Sequence, residues 1–112
     1  MRVVIVEDSA ALVALLTRRL TDAGHTVLLD GEPEDWARAQ IDAVVLDVHL
    51  DGLPNGSRIL ERLRELLPEV PVIVTTGSDD ARKRSQLDGP GVYWLDKPYE
   101  AGELVRLLGE VG

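Results

Sequence analysis

Acidic, hydroxyl and basic side chains gather at the ends of apolar runs in this chain. "VVIV" leads into Glu7-Asp8, "AVVL" into Asp47, "VIVT" into Thr76-Gly77-Ser78, and "VYWL" into Asp96-Lys97-Pro98. If those ends meet, three carboxylates, a hydroxyl and an ammonium converge on one shallow site. Clustered carboxylates raise one another's pKa unless a cation holds them ionised. The sequence has no cysteine, so the ligands are oxygens. Oxygen ligands favour a hard cation, and Mg²⁺ typically keeps several waters beside one or two carboxylates. With Lys97 and the Thr76 hydroxyl opposite, such a site forms a cradle for an incoming phosphoryl group. A carboxylate can itself be the nucleophile, giving an aspartyl phosphate. The apolar run before Asp47 would hold that carboxylate rigidly.

The elements that must position these groups are legible in outline. Five β-branched or Leu-rich runs, Val3–Val6, Thr26–Leu29, Ala43–Leu46, Val72–Thr75 and Val92–Leu95, read as strands. The first intervening helix has Ser9 as N-cap and Gly24 just past its end, with Leu12, Leu15, Leu16, Leu20 and Ala23 as its apolar stripe. "PEDWARAQ" is a short helix with Pro33 in its first turn, and Trp36 is expected to pack it onto the sheet. "NGSRILERLRELLP" turns Ile59, Leu60, Leu63, Leu66 and Leu67 inward, and Pro68 helps to end it. "SDDARKRSQLDG" is a polar helix, and "YEAGELVRLLGEVG" offers Leu104, Leu107, Leu108 and Val111. Strands alternating with helices imply a doubly wound five-stranded parallel sheet, order 2-1-3-4-5, with helices on both faces. In such a sheet ligands bind beyond the carboxyl ends of the strands, where the order reverses between the first and the third. That is where Glu7, Asp8 and Asp47 fall.

Composition narrows the partners. The 112 residues read as one domain, with 20 acidic against 12 basic residues and a net charge of −8. That balance argues against direct nucleic-acid binding, because phosphate backbones demand a basic surface. It suits a cation or a basic patch on another protein. No signal peptide or membrane span is expected, so the expected location is the cytoplasm.

Four motifs in order resemble the receiver domain of two-component response regulators: "VVIVEDSAALVALLTRRLTDAGH", "VVLDV", "VIVTTG" and "WLDKP". The resemblance covers nearly the whole chain. It implies a phospho-acceptor, phosphorylated on Asp47 by a histidine kinase or a phosphotransfer protein. Asp8 and Asp47 would ligate Mg²⁺, with Glu7 assisting through water and the His49 backbone carbonyl as a further ligand. Lys97 would be the phosphate's counter-ion and Thr76 its hydroxyl partner. His49 and Ser78 would flank the path of the attacking water and tune the phosphate's lifetime. Thr76 and Trp94 would form the switch, and the Lys97-Pro98 bond would be cis. Output would pass to an unidentified protein, or to an effector domain that lies outside this sequence, and the chain itself is expected not to be an enzyme.

The sequence also departs from the family's pattern. The loop after Asp47 is one residue longer than usual, the second helix is short, and Trp94 stands where Tyr or Phe is usual. Other readings stay open. A degenerate receiver would act as a phosphorylation-independent interaction module. A small Mg²⁺-dependent aspartyl phosphatase usually carries a second acid two residues after the nucleophile, where this chain has His49. A flavodoxin-like cofactor binder needs a hydroxyl-rich first loop, and "EDSAA" would repel phosphate. Individual residues have plainer readings too: Asp8 as a helix-start acid, Thr75 as packing, His25 at the surface, and Arg82, Lys83 and Arg84 as a solvated helix face. Asp47, His49 and Asp51 alternate as transition-metal ligands sometimes do, a weak signal on a loop.

Overall fold

The computed structural model describes residues 1–29, 31–48, 55–76 and 89–111. The expected polar helix over 78–89 lies almost wholly outside them, as do His49, Asp51 and Ser78. Within the described residues the strands are β1 (Arg2–Val6), β2 (Thr26–Leu28), β3 (Ala43–Val48), β4 (Val72–Thr76) and β5 (Val92–Asp96). The helices are α1 (Ala10–Asp22), α2 (Pro33–Arg38), α3 (Asn55–Leu66) and α4 (Ala101–Val111). All strand pairs are parallel, in the order β2-β1-β3-β4-β5 expected from the sequence.

Each apolar strand serves two cores, because successive side chains point to opposite faces. Val4, Val44, Leu46, Val72 and Val74 pack with Trp36 of α2, Ile41, and Leu60 and Leu63 of α3. Val3, Ile5, Ala43, Val45 and Ile73 pack on the other face with Leu16 and Leu20 of α1 and Leu104 and Leu108 of α4. Burying each such Val or Leu side chain contributes about 1.5–3 kcal/mol. Parity then assigns Asp47 to the face of Ala43 and Val45, the side of α1 and α4.

The ends of α1 follow from their residues. The Ser9 hydroxyl accepts from the Leu12 amide at 3.3 Å, capping a donor the helix cannot satisfy. Gly24 takes φ +93°, the His25 amide donates to the Leu20 carbonyl and the Gly24 amide to that of Thr21, which is a Schellman end. The stripe is narrower than expected: Leu16 and Leu20 are buried, whereas Leu15 is 50% exposed and Ala23 is exposed. The buried line runs at i, i+4 through Leu12, Leu16 and Leu20, and Leu15 lies one residue, about 100° of helix, to its side. His25 is half-buried rather than at the surface, its Nδ1 3.3 Å from the Met1 ammonium. Trp36 is buried as expected. Among the described residues no helix is long and apolar enough to cross a membrane.

Candidate functional site

The carboxyl edge of the sheet is built by register. β1 and β3 pair up to Val6 beside Leu46, so the next residues, Glu7 and Asp47, emerge side by side. β3 and β4 set Asp47 beside Thr75 and Val48 beside Thr76. β4 and β5 set Thr75 beside Leu95 and Thr76 beside Asp96. The Lys97 amide then donates to the Thr76 carbonyl at 2.7 Å, which pins the lysine just past the strand ends. The Lys97-Pro98 bond is cis, as the resemblance implies.

Lys97 is the hub. Its ammonium lies 2.9 Å from Asp47 Oδ1 and donates to Glu7 Oε2 at 3.1 Å. Both carboxylate side chains are only 3% exposed, the lysine 23%. Glu7 Oε1 also accepts from the Ser9 amide at 3.1 Å. Glu7, Asp8 and Asp47 each offer an oxygen to a cluster in which all three lie within 4.8 Å of one another.

The electrostatics follow from that crowding. Burial pushes the Glu7 carboxyl above its ordinary 4.5, against the pull of the Ser9 amide and Lys97, and Asp47 adds to the push. For Lys97 burial works against the charge, but its bonds to Asp47 and Glu7 outweigh it and leave its pKa raised. Burial likewise raises the Tyr99 phenol, with Lys97 opposing and Glu7 and Asp47 reinforcing. Tyr99 therefore stays neutral beside the site. The all-oxygen donor set of Glu7, Asp8 and Asp47 fits a small divalent cation such as Mg²⁺.

Each residue read from the sequence has a definite position where it is described. Glu7, Asp8, Asp47 and Lys97 come together. Thr76 is buried at 6% exposure and shares a strand face with Val72 and Val74, opposite that of Asp47. Trp94, the register partner of Val74, is half-buried against the same cluster. The residue that sequence reasoning undervalued is Thr75. Assigned to packing, it is fully buried, and its hydroxyl points at Asp47 Oδ1 from 3.4 Å. The signal that would have found it is the β3–β4 register.

A family model described as the response regulator receiver domain matches residues 3–108. The chain is 38% identical over 112 residues to the transcriptional regulatory protein TcrA of Mycobacterium tuberculosis, covering 96% of this chain and 44% of that protein. It is 34% identical over 112 residues to the response regulator MprA of Mycobacterium ulcerans, covering 96% and 48%. The chain thus spans less than half the length of these two relatives. Among solved structures, the Vibrio cholerae chemotaxis protein CheY4 superposes with a TM-score of 0.83 at 21% identity, covering 99% of this chain and 98% of that one. The receiver domain of a Pseudomonas aeruginosa PAO1 sensor histidine kinase, with a magnesium ion coordinated in its active-site cleft, gives 0.77 at 24% identity, covering 97% and 94%. At these identities the solved structures speak to the fold alone.

Proposed function

The chain belongs to the response regulator receiver domain family, and on that premise we propose that it is a phospho-acceptor working on Asp47. The observation that carries this reading is the pairing of a three-carboxylate cluster with one lysine on the acceptor's own oxygen. Asp8 and Asp47 would hold Mg²⁺, with Glu7 through water and the His49 backbone carbonyl as further ligands. When bound, the metal neutralises charge that develops on the phosphoryl oxygens. The Pseudomonas receiver, whose fold this chain shares, holds a magnesium ion in its active-site cleft.

An Asp47 carboxylate oxygen attacks the phosphorus of a phosphohistidine on a histidine kinase or phosphotransfer protein. The new O–P bond forms as the P–N bond breaks, and the imidazole leaves with the electron pair and takes a proton from solvent. Lys97, raised in pKa and so fully charged, draws away from the carboxylate charge it neutralises now and meets the phosphoryl oxygens. Thr76 gives its hydroxyl to the same group from the last position of β4. His49 and Ser78 then tune the approach of hydrolytic water. Phosphorylation alters binding of an output protein or effector domain, with Thr76 and Trp94 as the switch. The chain acts as a cytoplasmic signalling module rather than an enzyme, and touches neither nucleic acid nor membrane directly.

Intact-mass measurement tests this after incubation with phosphoramidate and Mg²⁺. Wild type is expected to gain one phosphoryl group, to fail to gain it with EDTA present from the start, and Asp47→Asn to stay unmodified. Equal labelling of Asp47→Asn would overturn the acceptor assignment. No labelling of wild type would favour a phosphorylation-independent interaction module.

A further inference from the structure

Two threonines end β4, and strand alternation sends them to opposite faces. Thr76 shares the face of Val74 and Trp94, whereas Thr75 shares the face of Ile73 and lies directly beside Asp47 in the ladder. Thr75 is 0% exposed. A hydroxyl out of water needs an acceptor. Its neighbour on the β5 side is Leu95, which offers no side-chain acceptor. On the β3 side is Asp47, whose Oδ1 lies 3.4 Å from the hydroxyl and 2.9 Å from the Lys97 ammonium. The hydroxyl contact is long for its kind, and hydrogen bonds at reactive groups are often long in the resting state and tighten as the reaction proceeds.

We propose that Thr75 is a positioning residue for the acceptor: its hydroxyl and the Lys97 ammonium hold Asp47 Oδ1 together and fix the plane of the carboxylate. This rests on the acceptor reading above and adds a second hydroxyl with a role separate from that of Thr76. The ammonium sits on a flexible stem and must move to meet a phosphoryl group. Thr75 is anchored in the ladder between β3 and β5 and keeps its grip when the lysine leaves. Oδ1 is thereby engaged throughout, and Oδ2 is the oxygen offered for reaction. An acceptor held in one orientation reacts faster than one that must first find it.

Thr75→Val preserves shape and removes the hydroxyl, and Thr75→Ser restores it on a smaller side chain. With phosphoramidate and saturating Mg²⁺, Thr75→Val is expected to be phosphorylated about tenfold more slowly than wild type, with Thr75→Ser recovering most of the rate, a rescue that loss of packing alone would not give. A second readout needs neither metal nor phosphate. In metal-free urea denaturation, the midpoint shifts of Thr75→Val and Asp47→Asn are expected to be non-additive in the double variant. If wild type and Thr75→Val are labelled at the same rate, Thr75 is packing and the inference falls while the acceptor reading stands. If wild type is not labelled, the acceptor reading falls and the denaturation cycle decides whether the contact exists: non-additivity upholds it and strict additivity overturns it.

Discussion

Asp8 offers the sharpest test of the site, because its two readings predict opposite signs. If Asp8 belongs to a crowded metal-binding cluster, neutralising it as Asp8→Asn relieves repulsion from Glu7 and Asp47. With the three ligand oxygens within 4.8 Å of one another, each unit-charge pair costs about 0.9 kcal/mol at the dielectric constant of water and about 3.5 kcal/mol at an effective value of 20. Asp8 is exposed, so the lower figure applies. Screening at physiological salt roughly halves it. Two such pairs leave about 1 kcal/mol of relief, or about 4 °C in Tm for a chain of this length. If Asp8 merely faces the start of α1, losing its charge costs about 0.3–1 kcal/mol of favourable interaction with the helix dipole. It sits one residue before the Ser9 cap, outside the first turn, so the cost belongs at the low end.

The assay is a thermal melt in EDTA and again across an Mg²⁺ titration. In EDTA the variant is expected to melt above wild type. Mg²⁺ stabilises whichever protein binds it, by an amount that grows with concentration over Kd. Removing one ligand is expected to weaken binding at least tenfold, about 1.4 kcal/mol. The two stability curves therefore cross, with the variant ahead without metal and wild type ahead in excess Mg²⁺. A variant less stable than wild type in EDTA, or two proteins that respond identically to Mg²⁺, would refute the crowding argument.

Other perturbations address the scaffold and the switch. Gly31 has φ +103°, and a Cβ there would lie 3.1 Å from Asp35 Cβ and 3.3 Å from Trp36 Nε1; Gly31→Ala is expected to cost about 1–2 kcal/mol in urea denaturation, and an unchanged midpoint would contradict the geometry. His25 is lowered below its ordinary 6.5, first by burial and then by the Met1 ammonium. A depressed folded-state pKa means its contribution is fully present above about 6.5 and is lost as pH falls through the lowered value; His25→Gln should therefore lose less stability than wild type between pH 7.5 and 5, and parallel curves would count against it. With Trp36→Phe leaving Trp94 as the sole indole, emission is expected to shift on adding Mg²⁺ and phosphoramidate. An Asp47→Asn version should lack the phosphodonor-dependent part, and a silent Trp94 in a protein phosphorylated by mass would remove it from the switch.

How far the sequence carried these conclusions differs from residue to residue. The strands were legible because each is a short apolar run, and the crossover helices between them dictate parallel pairing. Glu7, Asp8, Asp47 and Lys97 were legible as a group because a parallel sheet brings all its carboxyl ends to one edge. The orientation of α1 was not, since Leu12, Leu15 and Leu16 all suit an apolar stripe and only the line along which α1 meets β1 and α4 excludes Leu15. Thr75 was not legible because its role depends on which residue of β4 stands beside Asp47. A crossover of more than twenty residues separates them, and local pattern says nothing about register across it.

That register also constrains how a signal could leave the site. Asp47 and Thr75 face α1 and α4, whereas Thr76 and Trp94 face α2 and α3. The sheet between them is packed solid with Val44, Val45, Leu46, Ile73 and Val74, all 2% exposed or less, and close-packed cores do not deform smoothly. On the proposed reading, phosphorylation of Asp47 therefore reaches Trp94 around the carboxyl end of β4 rather than through the sheet. Thr76 is the last residue of that strand, and its carbonyl already holds the Lys97 amide. A phosphoryl group that draws both the Lys97 ammonium and the Thr76 hydroxyl would pull on the two residues this one backbone bond joins, and the space that Thr76 leaves lies on Trp94's face. On that reading the two threonines divide the work: Thr75 keeps the acceptor still, and Thr76 carries the change to the face of Trp94.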